Sequence, residues 1–242
     1  MRLGLVVAAG LALSGALPAA AEQVDVELVL AADGSGSIDA DELALQRRGY
    51  AQAITSPEVL SAIRGGLIGS IAITYVEWGG PASQHTIVDW HVVRDAPSAA
   101  VFAEKVISSP RQAFGYNSIS AAIAYSADRI RTNDYDGLAK VIDVSGDGPQ
   151  IGGPPLAETR AAALAEGITI NGLVIRRAGG GVRGPAGMSL SDHYARDVIG
   201  GPGAFVKVAD ETTSFAVAIR QKLVQEIAGI GAGRVPQDLA LR

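Results

Sequence analysis

The amino-acid sequence predicts an α/β domain: a doubly wound, mostly parallel sheet with one antiparallel edge strand and helices on both faces. Three observations predict it. Apolar runs of strand length, such as Val26 to Ala32 (VELVLAA), recur along the chain, as expected of strands buried on both faces of a parallel sheet. Amphipathic stretches with helical spacing lie between them. One segment, Gln84 to Val93, alternates polar and apolar residues instead, the pattern of a half-buried antiparallel edge. Strands alternating with helices in this way imply crossover connections on both sides of one sheet. The chain has 242 residues, 48% of them hydrophobic and 19% charged, enough apolar material to offset the entropy of ordering one such domain.

The first 21 residues stand outside that pattern. Arg2 gives a positive start, Leu3 to Leu13 is apolar, and Pro18-Ala19-Ala20-Ala21 ends in an A-x-A-like site. That order reads as a secretory signal peptide cleaved before Glu22, with the mature protein periplasmic or secreted. The apolar run is too short to span the ~30 Å core of a bilayer.

The domain is expected over residues 22–230. After the strand Val26 to Ala32, a helix is predicted over Asp39 to Ile54, with Leu43, Tyr50 and Ile54 on one stripe. Asp39, Asp41 and Glu42 fall in its first turn, where the helix dipole favours negative charge, and read as a cap rather than a metal cluster. Ile71 to Trp78 is a second buried strand, and Gly79-Gly80-Pro81 turns the chain into Gln84 to Val93. Strict alternation puts Gln84, Thr86, Val88, Trp90 and Val92 on one face of that edge strand. His85, Ile87, Asp89 and His91 then share the other. His85, Asp89 and His91 read as a polar strand face rather than zinc ligands, because nothing nearby completes a tetrahedral set. Helices follow near Ser98 to Ser108 and over Ser118 to Arg131, then a strand over Ala139 to Val144. A helix near Leu156 to Glu166 leads into the strand Ile168 to Ile175. Arg176 to Ser191 is Gly-rich and reads as structureless, Ala204 to Val208 as a short last strand. A closing helix over Glu211 to Ile230 carries Phe215, Ile219, Leu223, Ile227 and Ile230 on one face. Residues 231–242 read as a flexible tail.

Composition narrows the function. The formal net charge of −5 offers no basic stripe for nucleic acid. The absence of cysteine excludes disulfides, thiolate metal sites and cysteine nucleophiles. Ligands of open α/β sheets bind beyond the carboxyl ends of the strands, where strand order reverses. Two oxygen-rich loops directly follow predicted strands there: Asp33-Gly34-Ser35-Gly36-Ser37 and Ser145-Gly146-Asp147-Gly148. Each alone is ordinary turn chemistry. Together, at one edge of one sheet, their carboxylate and hydroxyl oxygens suit a hard cation such as magnesium.

The strand followed by Asp33-x-Ser35-x-Ser37 resembles the metal-ion-dependent adhesion site (MIDAS) of von Willebrand factor type A domains. More specifically, the chain is similar to a bacterial exported branch of that superfamily classed by unknown function (DUF1194-like). The matching stretches are TYVEWGGP (Thr74 to Pro81), SISAAI (Ser118 to Ile123), VIDVSGDGP (Val141 to Pro149), GITINGL (Gly167 to Leu173) and VIGGPGAFV (Val198 to Val206). The resemblance runs from about Val24 to Ile230. It implies a Rossmann-like fold and no enzymatic activity. It also implies a Mg²⁺ or Mn²⁺ ion held directly by Ser35 and Ser37, and by Asp33 and Asp147 directly or through water. Asn117 stands where that pattern has a threonine, with Ser118 as the alternative oxygen. An ion so held keeps room for one more anionic oxygen, which an Asp or Glu of a protein partner supplies. Arg176, Arg177 and Arg183 are expected at the same edge and read as a solvated loop rather than a docking surface.

The competing readings are a magnesium-dependent phosphatase or phosphotransferase of haloacid dehalogenase type, and a structural module with a decayed site. The first also starts from an aspartate after the first strand, but its second, acid-base aspartate is Ser35 here, and general acid catalysis is worth roughly a hundredfold or more. No G-x-S-x-G serine and no G-K-[ST] phosphate loop is present.

Overall fold

The structure is a computed structural model that describes residues 21–176, 183–210 and 214–233. The segment read as a signal peptide lies, except for Ala21, outside the described residues, as do Arg177 and residues 234–242. Six strands form one sheet in the order β3-β2-β1-β4-β5-β6. These are β1 (Glu22–Asp33), β2 (Ile71–Trp78), β3 (Gln84–Val93), β4 (Tyr135–Gly146), β5 (Ile168–Ile175) and β6 (Val206–Ala209). All neighbours are parallel except β2 and β3. The chain winds outward from β1 to one edge, then returns to β4 and winds to the other, so strand order reverses between β1 and β4.

Helices cover both faces, as a sheet buried on two sides requires. On one face α1 (Ala40–Ile54), α2 (Pro57–Arg64), α3 (Ala96–Ser108) and α7 (Phe215–Gly233) pack over the sheet. There Tyr50, Ile63, Phe102 and Leu223 meet Val26, Leu28 and Leu30. On the other face α4 (Ile119–Arg131), α5 (Leu156–Ala165) and α6 (Leu190–His193) contribute. Ile119, Ile123, Ala163 and Tyr194 there meet Val29, Ala31 and Ile142. The acidic first turn of α1 is a cap, as expected. Asp39 accepts from Glu42 N at 2.8 Å, and Glu42 Oε2 accepts from Asp39 N at 2.9 Å, which satisfies two otherwise orphaned donors.

Four expectations need correction. Helix α2 was not foreseen, although Ser56 caps it and Pro57 occupies its first turn. Strict alternation fails in β3, where the pairing with β2 slips twice, between Ile73 and Tyr75 and between Tyr75 and Val76. A slip flips the side-chain phase, so Val88, opposite Tyr75, shares a face with His91, opposite Ile73, rather than with Thr86. The segment expected to be structureless to Ser191 is ordered from Arg183, with a single 3₁₀ turn at Pro185–Gly187 and α6. A π-helical turn, Tyr194–Val198, follows α6 directly. Helix α7 continues to Gly233, three residues into the segment read as a tail.

Candidate metal centre at the carboxyl edge of the sheet

Asp33 ends β1 and Asp147 directly follows β4, so the point of strand reversal brings together two loops more than a hundred residues apart. The first loop curls on itself: Asp33 Oδ1 accepts from Ser35 N at 2.8 Å. That turn places Ser35 Oγ 3.0 Å from Ser37 Oγ. Ser37 Oγ in turn donates to Asp147 Oδ1 at 3.1 Å. The third chain segment arrives from the loop before α4, where Asn117 Nδ2 donates to Asp33 Oδ2 at 2.9 Å and reaches Asp147 Oδ1 at 3.4 Å. All five residues selected in the sequence, Asp33, Ser35, Ser37, Asn117 and Asp147, therefore share one hydrogen-bonded cluster. Ser118 does not join it. Its hydroxyl donates to Gly152 O at 3.2 Å.

Close packing explains the glycines of Ser145-Gly146-Asp147-Gly148. A Cβ on Gly146 would stand 2.6 Å from Tyr194 Oη and 3.2 Å from both Asp33 Oδ2 and Trp78. One on Gly148 would stand 2.7 Å from Asn117 Nδ2. Gly146 lets backbone come close to the Asp33 carboxylate and Gly148 to the Asn117 amide, a usual reason for glycine inside a packed loop.

Two buried carboxylates dominate the electrostatics of the cluster. Asp33 is fully buried and Asp147 nearly so. Burial first, and the neighbouring Asp147 second, push the Asp33 carboxyl up to about 7. Burial and then the same two carboxylates push the Tyr194 phenol well above its ordinary value. Two buried acids held this close together are costly unless positive charge or hydrogen-bond donors compensate them. The donor set of two carboxylates, two hydroxyls and one amide fits a hard divalent cation. Asn117 is the departure, because its nitrogen faces both acids. A half-turn of the amide would exchange Nδ2 for Oδ1. Among the described residues no group of three or more His, Asp or Glu side chains stands together as a metal site, so any ion held here relies on neutral oxygens for much of its coordination.

Three supports were invisible in the sequence. Arg111 lies in an irregular loop, yet its guanidinium donates to Ile38 O and Gly34 O at 2.8 Å each and to Ser35 O at 2.7 Å. It fixes the backbone of the Asp33 loop from outside. Tyr50 of α1 donates to Ser145 Oγ at 2.9 Å beneath the second loop. His193 Nε2 accepts from Gln150 N at 3.3 Å, and its Nδ1 lies 2.7 Å from Asp197. The helical stripe marks Tyr50 only as a core residue, and no periodicity or motif marks Arg111 or His193. The alternative ligands are dispersed: His85 bonds Ser83, Asp89 pairs with Arg129, and His91 bonds Ser98 O. Of the arginines, Arg176 pairs with Asp210 at 3.1 Å and Arg183 donates to Gly187 O at 3.1 Å.

The sequence profile of one family matches residues 23–231. The chain belongs to DUF1194, a family of proteins of unknown function. A comparison with curated proteins finds no match. Solved structures place this DUF1194 protein among von Willebrand factor type A folds. The pilus adhesin SpaC of Lactobacillus rhamnosus GG, in its open conformation, superposes with a TM-score of 0.59 at 14% identity, over 87% of this chain and 31% of its own. Proximal thread matrix protein 1 of the mussel byssus, in a form with a zinc-occupied MIDAS motif, gives 0.54 at 14% identity, over 87% of this chain and 46% of its own. The vWF domain of the type V pili tip protein Mfa5 of Porphyromonas gingivalis gives 0.56 at 10% identity, over 87% and 97% of the two chains. The DUF1194 chain thus spans less than half the length of the first two. At these identities the likeness is one of fold.

Proposed function

We propose that this DUF1194 protein is an exported, non-enzymatic type A domain that binds one divalent cation, magnesium or manganese, and through it an acidic residue of a protein partner. The observation that carries the reading is the convergence of Asp33, Ser35, Ser37, Asn117 and Asp147 from three separate loops onto one point of the carboxyl edge. Asp33 and Asp147 supply the charge, Ser35 and Ser37 neutral oxygens, and Asn117 the position that a threonine fills in the resembled pattern. A divalent ion bound there offers a Lewis-acidic centre for a partner's carboxylate. The adhesins among its structural neighbours support a binding role. The A-x-A-ended leader supports export to the periplasm or beyond.

The arrangement supplies no histidine base for hydrolysis. Ser35 stands where a phosphatase of haloacid dehalogenase type needs its second aspartate. The chain has three histidines, and each is tied elsewhere. His193 faces Asp197 and Gln150, and His91 faces Ser98 O. His85 bonds Ser83, whose buried hydroxyl already accepts from Phe114 N.

The test is manganese binding followed by electron paramagnetic resonance, on wild type and on Asp147→Ala, paired with a pull-down from envelope extract with and without magnesium. One saturable Mn²⁺ site lost in Asp147→Ala, and a protein retained only with magnesium, are the expected results. Full Mn²⁺ binding in the variant would place the ion elsewhere.

A further inference from the structure

Between α7 and the sheet lies a second polar centre, built on β4 and β5 themselves rather than on the loops beyond them. Lys222 of α7 is fully buried, its ammonium 2.6 Å from Asp143 Oδ1 on β4 and bonded to Glu226 one helical turn on. Asn171 of β5, the register partner of Asp143, donates to Glu226 Oε1 at 2.8 Å and accepts from Phe205 N at 3.1 Å. Two carboxylates therefore share one lysine. Glu226 is 5% exposed, and while its Oε1 takes both donors, its Oε2 has no hydrogen-bond partner.

Beside this cluster lies a cavity of about 320 Å³ between β4, β5, the turn before β6 and the last turns of α7, within the lower range of small-molecule sites (~300–1,000 Å³). Glu226 and Asn171 line it on the polar side, and Ala139, Val141, Pro202 and Phe205 on the apolar side. A buried ion group that served only to pin α7 would balance its charges, and well-packed apolar side chains would pin the helix as firmly. Here one carboxylate is in excess, Glu226 Oε2 is buried without a hydrogen-bond partner, and the Glu226 side chain forms part of the cavity wall. Lys222 is already spent on Asp143 and Glu226, and the ammonium of Lys207 lies over the outer wall residue Phe205, 5.8 Å from its ring centroid. What is missing is a donor carrying positive charge.

We propose that this cavity binds a small organic amine in its protonated form, its ammonium donating to Glu226 and its apolar body lying against Val141 and Phe205. The apolar wall disfavours a strongly hydrated inorganic cation, and the volume limits the ligand to a compact molecule. Burial, with Asp143 adding to it, pushes the Glu226 carboxyl up to about 7, and an ammonium bound beside it would restore the carboxylate.

Benzylamine and n-butylamine are the probes, with benzyl alcohol as the neutral isostere, read by chemical-shift perturbation and by thermal melting of the mature protein. Saturable binding of an amine with a Kd in or below the millimolar range is expected, with signals moving at Asn171, Phe205 and Gly229. Glu226→Gln should weaken it at least about tenfold while keeping the shape of the side chain. Ala139→Leu, which fills the cavity without touching Lys222, should weaken it similarly even if Glu226→Gln fails to fold. Asp33→Ala should leave it unchanged. Failure of both amines to bind would overturn the proposal. So would equal binding of benzyl alcohol, or amine affinity that survives either Glu226→Gln or Ala139→Leu.

Discussion

Asn117 Nδ2 lies 2.9 Å from Asp33 Oδ2 and 3.4 Å from Asp147 Oδ1, so one amide hydrogen-bonds the two carboxylates from opposite ends of the cluster. A threonine hydroxyl could donate to only one of them at a time. Asn117 therefore partly fills the role of a cation when none is bound, and an ion must displace its donor contacts to enter.

The first prediction follows. Asn117→Thr should preserve or tighten Mg²⁺ binding, because it removes the competing donor and supplies an oxygen. Asn117→Ala should weaken Mg²⁺ binding and lower the ion-free melting temperature, since a charge-assisted hydrogen bond of roughly 1.5–3 kcal/mol is lost. Isothermal titration with magnesium separates the two. An unchanged affinity in Asn117→Ala would mean that water, not this side chain, completes the coordination.

Thermal melting tests the carboxylates. An ion bound only by the folded state stabilises it by ~2.7 kcal/mol at a hundred times its Kd. In a domain of this size each kcal/mol raises Tm by ~2–4 °C. Wild type should respond to magnesium or manganese, while Asp33→Ala and Asp147→Ala should not. Calcium should compete poorly, because it prefers more ligands and longer bonds than these short side chains offer. Equal shifts in all three proteins would exclude this cluster as the binding site.

The pH dependence has a definite sign. Asp33 is raised from its ordinary value of 3.8 to about 7, so the folded, ion-free protein holds a proton that the unfolded chain gives up. The stability tied to that proton is complete below about 3.8 and is lost as pH rises through about 7. Ion-free protein should therefore melt progressively lower across that interval, and the magnesium-induced shift should grow as the proton leaves. Asp33→Asn should flatten the decline. Glu226, also raised to about 7, leaves a remainder of the same sign. A wild-type Tm that rises across the interval in chelator would contradict the assignment.

Gly146→Ala tests the packing around the cluster. Its Cβ would meet Tyr194 Oη at 2.6 Å, an overpacking that costs about 1–3 kcal/mol. Adding Tyr194→Phe should recover part of that loss, giving a favourable coupling in a double-mutant cycle. Strict additivity of the two changes would show that the loop relaxes away from the phenol.

Some of this was legible in the sequence for physical reasons. The bounds of β2, β3 and β5 coincide with the predicted runs Ile71–Trp78, Gln84–Val93 and Ile168–Ile175, because two of those strands are buried runs and the third follows the Gly79-Gly80-Pro81 turn. The centre was legible because its oxygens sit on loops that directly follow strands, and strand ends are where an open sheet gathers ligands. Other features leave no local trace. The first residues of β4, Tyr135–Leu138, mix exposed and half-buried positions and look like loop until they pair with the start of β1. Arg111, Tyr50 and His193 act across long sequence separations, where no periodicity can announce them. The slips in β3 come from its fit to β2, not from its own composition.

The two edge strands bear on how copies of this protein meet. Exposed strand edges invite other chains to extend the sheet by backbone pairing. One margin here, β3, is broken by two slips in register, and the other, β6, is only four residues long. Neither offers a long, flat row of unpaired amides and carbonyls. The fold is thereby guarded against amyloid-like stacking through either margin of its sheet.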